Sequence, residues 1–276
     1  MHALEIDREK CTGCGLCVGD CSPKVLLLED GHPACTPRWS AWCIGCQHCL
    51  AVCPRGALSI QGKNPADSIP LKGLQPDPRQ IAALLKGRRS IRRYRDENLD
   101  PELIRQLIEV ASYSPSGSNS RKVRFTLIDR KETMARFRSE AMAGLRRLAD
   151  GPGFPAGLEY FGWYADVWEQ QQRDILLRGA PHLVIASAPK SCQTPLQDSI
   201  IALAWFEFHA HSLGIGTLWD GVATTAIDRL VPELRERLGI PPDHLIGETM
   251  IFGKPAVRYA RTVQYPPNEI HTLRYS

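Results

Sequence analysis

Two cysteine runs with the same spacing lie close to the start of this 276-residue chain. Each run has the pattern C-x2-C-x2-C-x3-C, beginning at Cys11 in one and at Cys43 in the other, and together they hold eight of the ten cysteines. A short apolar stretch follows each run, KVLLLED or GALSIQG, so residues 1–61 contain an internal repeat. Because a module this small has a thin hydrophobic core, it commonly needs a metal or disulfide staple, which the cysteines can supply.

The surroundings of the cysteines favour metal ligands over disulfides. The N-terminal sequence MHALEIDREK carries charges where a signal peptide has its apolar core, and no apolar run reaches the roughly 20 residues that span a bilayer. We therefore expect a cytoplasmic protein with no membrane partner, and clustered cysteines in a reducing cytosol are read first as metal ligands. The net charge of +4 is weak for this length and gives no support to a nucleic-acid partner.

The spacing of both runs favours iron–sulfur ligation, in which three cysteines of one run hold one [4Fe–4S] cluster and the fourth reaches the other cluster. This half resembles bacterial two-cluster ferredoxins, although Ser22 separates Cys21 from the usual proline. Zinc is the alternative, but structural zinc sites usually pair one C-x2-C with a distant second pair. Cys35 and Cys192 are expected to be small buried side chains. The predicted ligands are Cys11, Cys14, Cys17 and Cys53 for one cluster, and Cys43, Cys46, Cys49 and Cys21 for the other.

The rest of the chain is predicted to form a larger domain. Residues 62–78 are rich in Gly and Pro and are typical of a linker between a module at 1–61 and a domain at 79–276. Helical periodicity is clear in DPRQIAALLKGRR, DPELIRQLIEVASY and LQDSIIALAWFEFHAHSLG, and Asp100 before Pro101 fits a helix N-cap. Strands are predicted in VRFTLID, HLVIASA and HLIGETMIFG. Strands separated by long helical stretches favour one sheet with helices on both faces.

One stretch of the larger domain, KGRRSIRRYR at residues 86–95, has six basic residues and no acidic one. Arginine side chains beside a serine hydroxyl can bind a phosphate through charge-assisted hydrogen bonds. A solvated basic face is the commoner meaning of such a run, and composition alone does not decide between the two. The sequence contains no P-loop, and GIGTLW at 214–219 lacks the third glycine of a dinucleotide-binding turn.

Four segments of the larger domain resemble, in order, the FMN-dependent nitroreductase family. They are RRSIRRY, SPSGSNSR at 114–121, AHSLGIGTLWDG at 210–221 and FGKPAVRYARTV near the C-terminus. The resemblance covers nearly all of residues 79–276, although residues 150–178 have no match. With the cysteine module, the chain is similar to the ferredoxin-fused branch of that family. This resemblance implies an α+β fold, with a nitroreductase-like mixed sheet flanked by helices, and a homodimer with FMN at its interface.

The resemblance also implies which residues hold FMN. Arg92 would contact the N1–C2=O edge of the ring, where a cation raises the reduction potential. Gly221, preceded by Asp220, would offer its backbone N–H to the flavin N5, and a glycine lets the backbone approach a flat ring. The phosphate would be held by Arg88, Ser90 and Arg261, with Arg258 as a second candidate. Arg89 would lie along the cofactor. Ser116 and Asn119 would reach the FMN of the partner subunit.

These parts predict an enzyme in which the flavin carries the chemistry and no side chain is a catalytic residue. A low-potential donor, a ferredoxin or NAD(P)H, would reduce the clusters, and the electrons would pass to FMN and on to a small acceptor such as a nitroaromatic or a quinone. His209 and His211 lie in an apolar helix and are expected to pack rather than to catalyse. One alternative is an electron-transfer protein that serves a protein partner without a small-molecule substrate of its own. Another is a regulatory or structural flavoprotein with zinc in the cysteine module.

Overall fold

The structure is a computed structural model that describes residues 4–275, so the outer ends of the two predicted domains lie outside the described part. The chain divides into two compact units between Pro76 and Asp77, a point that falls inside the predicted linker. One short segment is an exception to this division: residues 117–121 belong to the first unit. The second unit comprises residues 77–116 and 122–276.

The first unit is built from short elements. In chain order they are β1 (Leu4–Ile6), α1 (Leu16–Gly19), β2 (Leu26–Glu29), β3 (His32–Cys35), α2 (Trp39–Trp42), α3 (His48–Ala51) and β4 (Leu58–Ile60). Strands β1 and β4 form one antiparallel pair, and β2 and β3 form another. The two apolar stretches predicted as strands are confirmed as β2 and β4. A single small core joins these elements, formed by the buried Cys21, Val25, Leu26, Trp39, Cys49, Leu50, Leu58 and Ile60.

The second unit contains the longer helices and the larger sheet. Its elements are α4 (Pro78–Gly87), α5 (Pro101–Ala111), β5 (Arg124–Ile128), α6 (Lys131–Asp150), α7 (Tyr160–Gln171), β6 (His182–Pro189), α8 (Pro195–Ser212), β7 (Gly216–Trp219), α9 (Gly221–Thr225), a π-helical turn (Ala226–Leu230), α10 (Glu233–Arg237) and β8 (His244–Gly253). The strand order is β5-β6-β8-β7, and every neighbouring pair of strands is antiparallel.

Helices cover both faces of this sheet, as the sequence predicts. Successive residues of a strand point to opposite faces. Leu183 and Ile185 of β6 belong to a core that includes residues of α6 and α7. Val184 and Ala186, which alternate with them, belong to a second core with residues of α5 and α8. The sheet is therefore buried on both sides, which holds the ends of its strands in fixed positions.

Most of the predicted elements are confirmed. β8 coincides with HLIGETMIFG, and the Asp100 side chain accepts a hydrogen bond from the backbone N–H of Glu102 at the start of α5. Hydrophobic periodicity did not predict β7, α6 or α7. One expectation about the spare cysteines is wrong: Cys35, at the end of β3, is exposed, and Cys192 is only half-buried. None of the helices in residues 4–275 combines the length and apolar character needed to cross a membrane.

Candidate functional site

The four thiols predicted for one cluster surround a single small cavity in the first unit. Cys11, Cys14 and Cys17 come from one run and Cys53 from the other, and all four line this cavity. Apolar side chains from β1, α1 and β4 complete the lining, and the Cys53 Sγ accepts a hydrogen bond of 3.3 Å from the Ala57 backbone N–H. Thiolate ligands in an apolar shell with backbone N–H donors are the environment of an iron–sulfur cluster. The residues present therefore fit such a group.

The second predicted set lies around a buried thiol. Burial, with smaller contributions from the nearby thiols of Cys46 and Cys43, raises the pKa of Cys49 to about 12. Cys21 and Cys49 are both buried in the core of the unit, and Cys43 packs against that core. A thiol with so high a pKa stays protonated at neutral pH, so metal binding would have to release its proton. In residues 4–275, no three His, Cys, Asp or Glu side chains are spaced to hold a single metal ion, and a four-iron cube needs wider spacing than one ion.

The two cysteine runs adopt matching backbone turns. We call residues 11–17 the first cysteine loop and residues 43–49 the second cysteine loop. Gly13 and Gly15 have φ of 69° and 74°, and Gly45 and Gln47 have φ of 62° and 61° at the same positions of the second loop. These left-handed turns are easy for glycine and uncommon for glutamine. The internal repeat of the sequence is therefore a repeat of backbone conformation.

In the second unit, the basic segment at residues 86–95, which we call the basic arm, is bonded to the edge of the sheet. Ser90 forms a parallel bridge with Thr217 of β7, and the Ile91 backbone N–H donates to the Thr217 carbonyl at 2.8 Å. Close packing explains Gly216, because a Cβ there would lie 2.6 Å from Cγ1 of Ile91. Past this contact, the Arg95 N–H donates to the Lys254 carbonyl. This basic arm is thus held as a partial extra strand.

A buried carboxylate that the sequence did not point to joins the basic arm to α8 and β7. The Glu207 side chain is only 5% exposed. It accepts hydrogen bonds from Arg88 Nη1 at 3.2 Å, Thr217 Oγ1 at 3.0 Å and Trp219 Nε1 at 2.8 Å. This bond fixes Arg88 in place. It uses only one of the five N–H donors of the guanidinium group. A lone acidic residue in WFEFHA has no spacing signature, so its partners were visible only in three dimensions.

A cavity of about 600 Å³ adjoins the basic arm. Its lining includes two of the predicted cofactor residues, Arg89 and Arg258, with Lys254 and His211. Arg89 also donates from Nη1 to the Tyr265 hydroxyl at 3.1 Å. Arg261 lies outside this cavity on exposed chain. Of the two candidates for the phosphate, the structure places Arg258 with Arg89.

Asp220 and Gly221 lie where β7 gives way to α9. The Asp220 Oδ1 accepts a hydrogen bond of 3.0 Å from the Ala223 N–H and caps the helix. Its other oxygen, Oδ2, is buried and has no hydrogen-bond partner among the described residues. Gly221 is exposed, and the Oε2 of Glu248 lies 3.5 Å from the place a Cβ would take. The exposed backbone of Gly221 fits the approach of a flat ring.

The remaining two predicted residues fall in different units. Ser116 is half-buried in the second unit, whereas Asn119 belongs to the segment at 117–121 in the first unit. The Asn119 Nδ2 donates a hydrogen bond of 2.9 Å to the Ile44 carbonyl in the second cysteine loop. No local pattern could predict this contact, since 75 residues separate the two positions.

Family profiles match both parts of the chain. The Nitroreductase family profile matches residues 85–254, which is more than half of the chain. The chain belongs to the nitroreductase family. Residues 10–58 match a 4Fe-4S dicluster domain.

Individual proteins show the same relationship. A nitroreductase with bound FMN from Desulfitobacterium hafniense has 25% sequence identity and a TM-score of 0.54, over 71% of this chain and 98% of that one. A nitroreductase with bound FMN from Bacteroides fragilis has 20% identity and a TM-score of 0.56, over 70% of this chain and 99% of that one, and shows the fold. An FMN reductase [NAD(P)H] from Bacillus subtilis is 27% identical over 70% of this chain and 72% of its own length.

The shared cavity predicts crossed ligation. Cys53→Ala should remove the cluster of Cys11, Cys14 and Cys17, although it lies in the other run, and should leave about half of the iron, as expected when one of two four-iron clusters is lost. Iron analysis and EPR of the reduced protein measure this. Cys35→Ala is the matched control, since Cys35 is exposed and outside both runs, and should keep all the iron. Selective loss of the Cys43 cluster in Cys53→Ala would show that the ligands are assigned the wrong way.

The buried Asp220 predicts a pH-dependent stability difference. Burial raises the pKa of this carboxyl from its ordinary value of 3.8 to about 7, with Asp174 and Glu248 adding to the rise while the Ala223 N–H and Arg178 oppose it. Between these two values the folded protein binds a proton that the unfolded chain does not, so the stability falls as pH rises through this window. Asn at 220 cannot ionise and still caps a helix.

We therefore expect Asp220→Asn to raise the melting temperature relative to the wild type more at pH 8 than at pH 5. Thermal unfolding followed by circular dichroism at both pH values measures the difference. Asp100→Asn, which replaces the N-cap carboxyl at the start of α5, is the control and should behave alike at both. An effect of Asp220→Asn that is equal at the two pH values would contradict the assigned burial of the charge.

Proposed function

We propose that this chain is an FMN-dependent oxidoreductase that takes electrons from a low-potential donor through two [4Fe–4S] clusters and delivers them to a small acceptor. The observation that carries the proposal is the cavity lined by thiols of both cysteine runs, in a chain of the nitroreductase family. The FMN named for the Desulfitobacterium and Bacillus relatives supports the flavin. Bound clusters would carry single electrons, and bound FMN would store two and release them as a hydride or singly.

The first unit supplies the ligands for the clusters. Cys11, Cys14, Cys17 and Cys53 would hold one cluster, and their shared cavity supports this set. Cys43, Cys46, Cys49 and Cys21 would hold the other, supported by the burial of Cys49 beside its neighbouring thiols. The apolar shell of this core would keep water away from the sulfur ligands, and exclusion of water is one of the factors that sets a cluster potential.

The second unit supplies the residues that would bind FMN. Arg88, fixed by Glu207, and Ser90, fixed by its bridge to Thr217, would bind the phosphate together with Arg258 or Arg261. Positions held by strand pairing and a buried ion pair lose little freedom when a ligand binds, which favours affinity. Arg89 would lie along the cofactor and Gly221 would present its backbone N–H to the ring, with Asp220 beside it. Ser116 and Asn119 are proposed to reach the flavin of the partner in a cytoplasmic homodimer.

The acceptor class follows from the same family. We propose a nitroaromatic or a quinone as acceptor, and a ferredoxin or NAD(P)H as donor. Anaerobic reconstitution of the full chain with iron, sulfide and FMN, followed by a screen of donors and acceptors, tests the function. Retention of both cofactors with donor-dependent reduction of a nitroaromatic or quinone is expected. A chain that binds zinc in place of iron, or that retains no yellow cofactor, would refute the proposal.

Arg92 tests the orientation of the flavin. Its side chain is exposed beside the Ser90 carbonyl, to which Nη1 donates at 3.4 Å. Removing a cation near the N1–C2=O edge should destabilise the negative reduced flavin. Arg92→Ala is expected to lower the flavin potential by tens of millivolts, since about 30 mV corresponds to about 1.4 kcal/mol for a two-electron couple.

The neighbouring residue provides the control for this measurement. Arg93→Ala removes the same charge from an adjacent exposed position, and its flavin potential should stay close to that of the wild type. Spectroelectrochemical titration of both variants, with cluster content checked by iron analysis, measures the effect. Equal shifts in the two variants would mean that Arg92 acts only through the overall charge of the arm.

A further inference from the structure

The second cysteine loop has a support that the internal repeat does not explain. The Asn119 amide Nδ2 donates to the Ile44 carbonyl at 2.9 Å, between the ligand positions Cys43 and Cys46. The segment that carries Asn119, residues 117–121, belongs to the first unit although it is distant from it in sequence. A segment that joins the cysteine unit from another part of the chain is in a position to influence one of its two loops.

The first cysteine loop is supported differently. A Cβ on Gly13 would lie 2.5 Å from the Gly31 carbonyl oxygen, and one on Gly15 would lie 3.4 Å from Cδ1 of Leu28. Both contacts come from the β2–β3 hairpin, so the chain next to the first run provides its own support. The second run is followed by β4, which pairs with β1 and then turns at Gln61 and Gly62, where Ile60 and Lys63 form an antiparallel bridge.

Two amide side chains contact the second cysteine loop. A Cβ on Gly45 would lie 2.9 Å from Nε2 of Gln61, and the Asn119 amide binds the preceding carbonyl. The turn after the second run therefore approaches Gly45 through the Gln61 side chain, whereas the turn after the first run approaches Gly13 through the Gly31 backbone. Because side chains can be changed without breaking the backbone, this second support is open to a clean test.

The segment at 117–121 is a tightly defined turn. Ser118, Asn119 and Arg121 have φ of 50°, 53° and 53°, and the Ser120 N–H donates to the Gly117 carbonyl at 3.0 Å. Left-handed backbone at non-glycine residues is costly and persists where surrounding contacts hold it. Asn is the non-glycine residue that tolerates this conformation best, since its short amide can hydrogen-bond nearby. The turn therefore fixes the amide of Asn119 toward the loop.

The bond to Ile44 fixes the whole peptide group between Ile44 and Gly45, and not the carbonyl alone. The Ile44 C=O and the Gly45 N–H belong to one planar trans peptide, so they point in opposite directions and turn together. Holding the carbonyl toward Asn119 holds the N–H toward the other side of the loop. Backbone N–H groups near the sulfurs of a cluster help to set its potential.

We propose that Asn119 is a positioning residue for the cluster bound by the second cysteine loop, and that it sets the reduction potential and iron retention of that cluster alone. The proposal rests on the cluster part of the proposed function. It assigns residues 117–121 a structural task in the cysteine unit, in addition to the flavin contact predicted from the family.

Two variants remove the bond in different ways. Asn119→Asp keeps the shape and replaces the donor by an acceptor, and Asn119→Gly removes the amide while allowing the left-handed backbone. In both reconstituted full-length variants, the potential of the Cys43, Cys46 and Cys49 cluster should become more negative. Its iron should pass to a chelator about fivefold faster, as expected from losing about 1 kcal/mol of hydrogen bonding. Cys14→Ser and Cys46→Ser assign each EPR-monitored redox wave to its cluster.

The control variant, Asn64→Asp, adds to the first unit the same negative charge as Asn119→Asp. Asn64 accepts a hydrogen bond from the Ala66 N–H through Oδ1, so Asn64→Asp keeps its bond and should leave both waves unchanged. A shift of the second-loop wave in both Asn119 variants, with the other wave constant, supports the proposal. Equal shifts of both waves, no shift, or a shift in Asn119→Asp alone overturns it. Iron content of the wild type separates this failure from failure of the proposed function, because a wild type without iron would refute the clusters themselves.

Discussion

Bonding of thiolates to iron is the interaction on which we propose that the first unit depends. Its strands are three or four residues long, and its helices are single turns. Packing on this scale stabilises a chain only weakly against its conformational entropy. The cavity that brings Cys53 to the thiols of the first run supports the proposal that the two halves of the repeat share their ligands. A cluster bound in this cavity would link parts of the chain that packing alone stabilises only weakly.

The second unit obtains its rigidity in another way. Its sheet is buried on both faces, and a basic arm is joined to its edge by strand pairing at Ser90 and by close packing of Ile91 on Gly216. The carboxylate of Glu207 then connects the arm to a helix and to β7. A buried charge is tolerated because it has three donors, and the same bonds fix an arginine at the candidate phosphate site. Packing and electrostatics thus act together where a cofactor would bind.

Patterns that depend on spacing could be predicted from the sequence, and contacts between distant residues could not. The cysteine runs, the Asp100 cap and the strand ending at Gly253 all follow local rules of ligation, capping and alternation. β7 could not be predicted because four residues are too few for periodicity. The roles of Glu207 and Asn119 depend on partners far away in the chain, so no local pattern marks them.

The proposed route takes electrons to the flavin by way of the clusters. Its most direct test is anaerobic stopped-flow of the FMN-loaded full chain with a reduced ferredoxin as donor, comparing protein that contains its clusters with protein whose iron has been removed by a chelator. We expect the flavin absorbance to bleach rapidly after the cluster absorbance in the first sample, and the flavin to stay oxidised on that timescale in the second. Flavin reduction at the same rate without iron would contradict it.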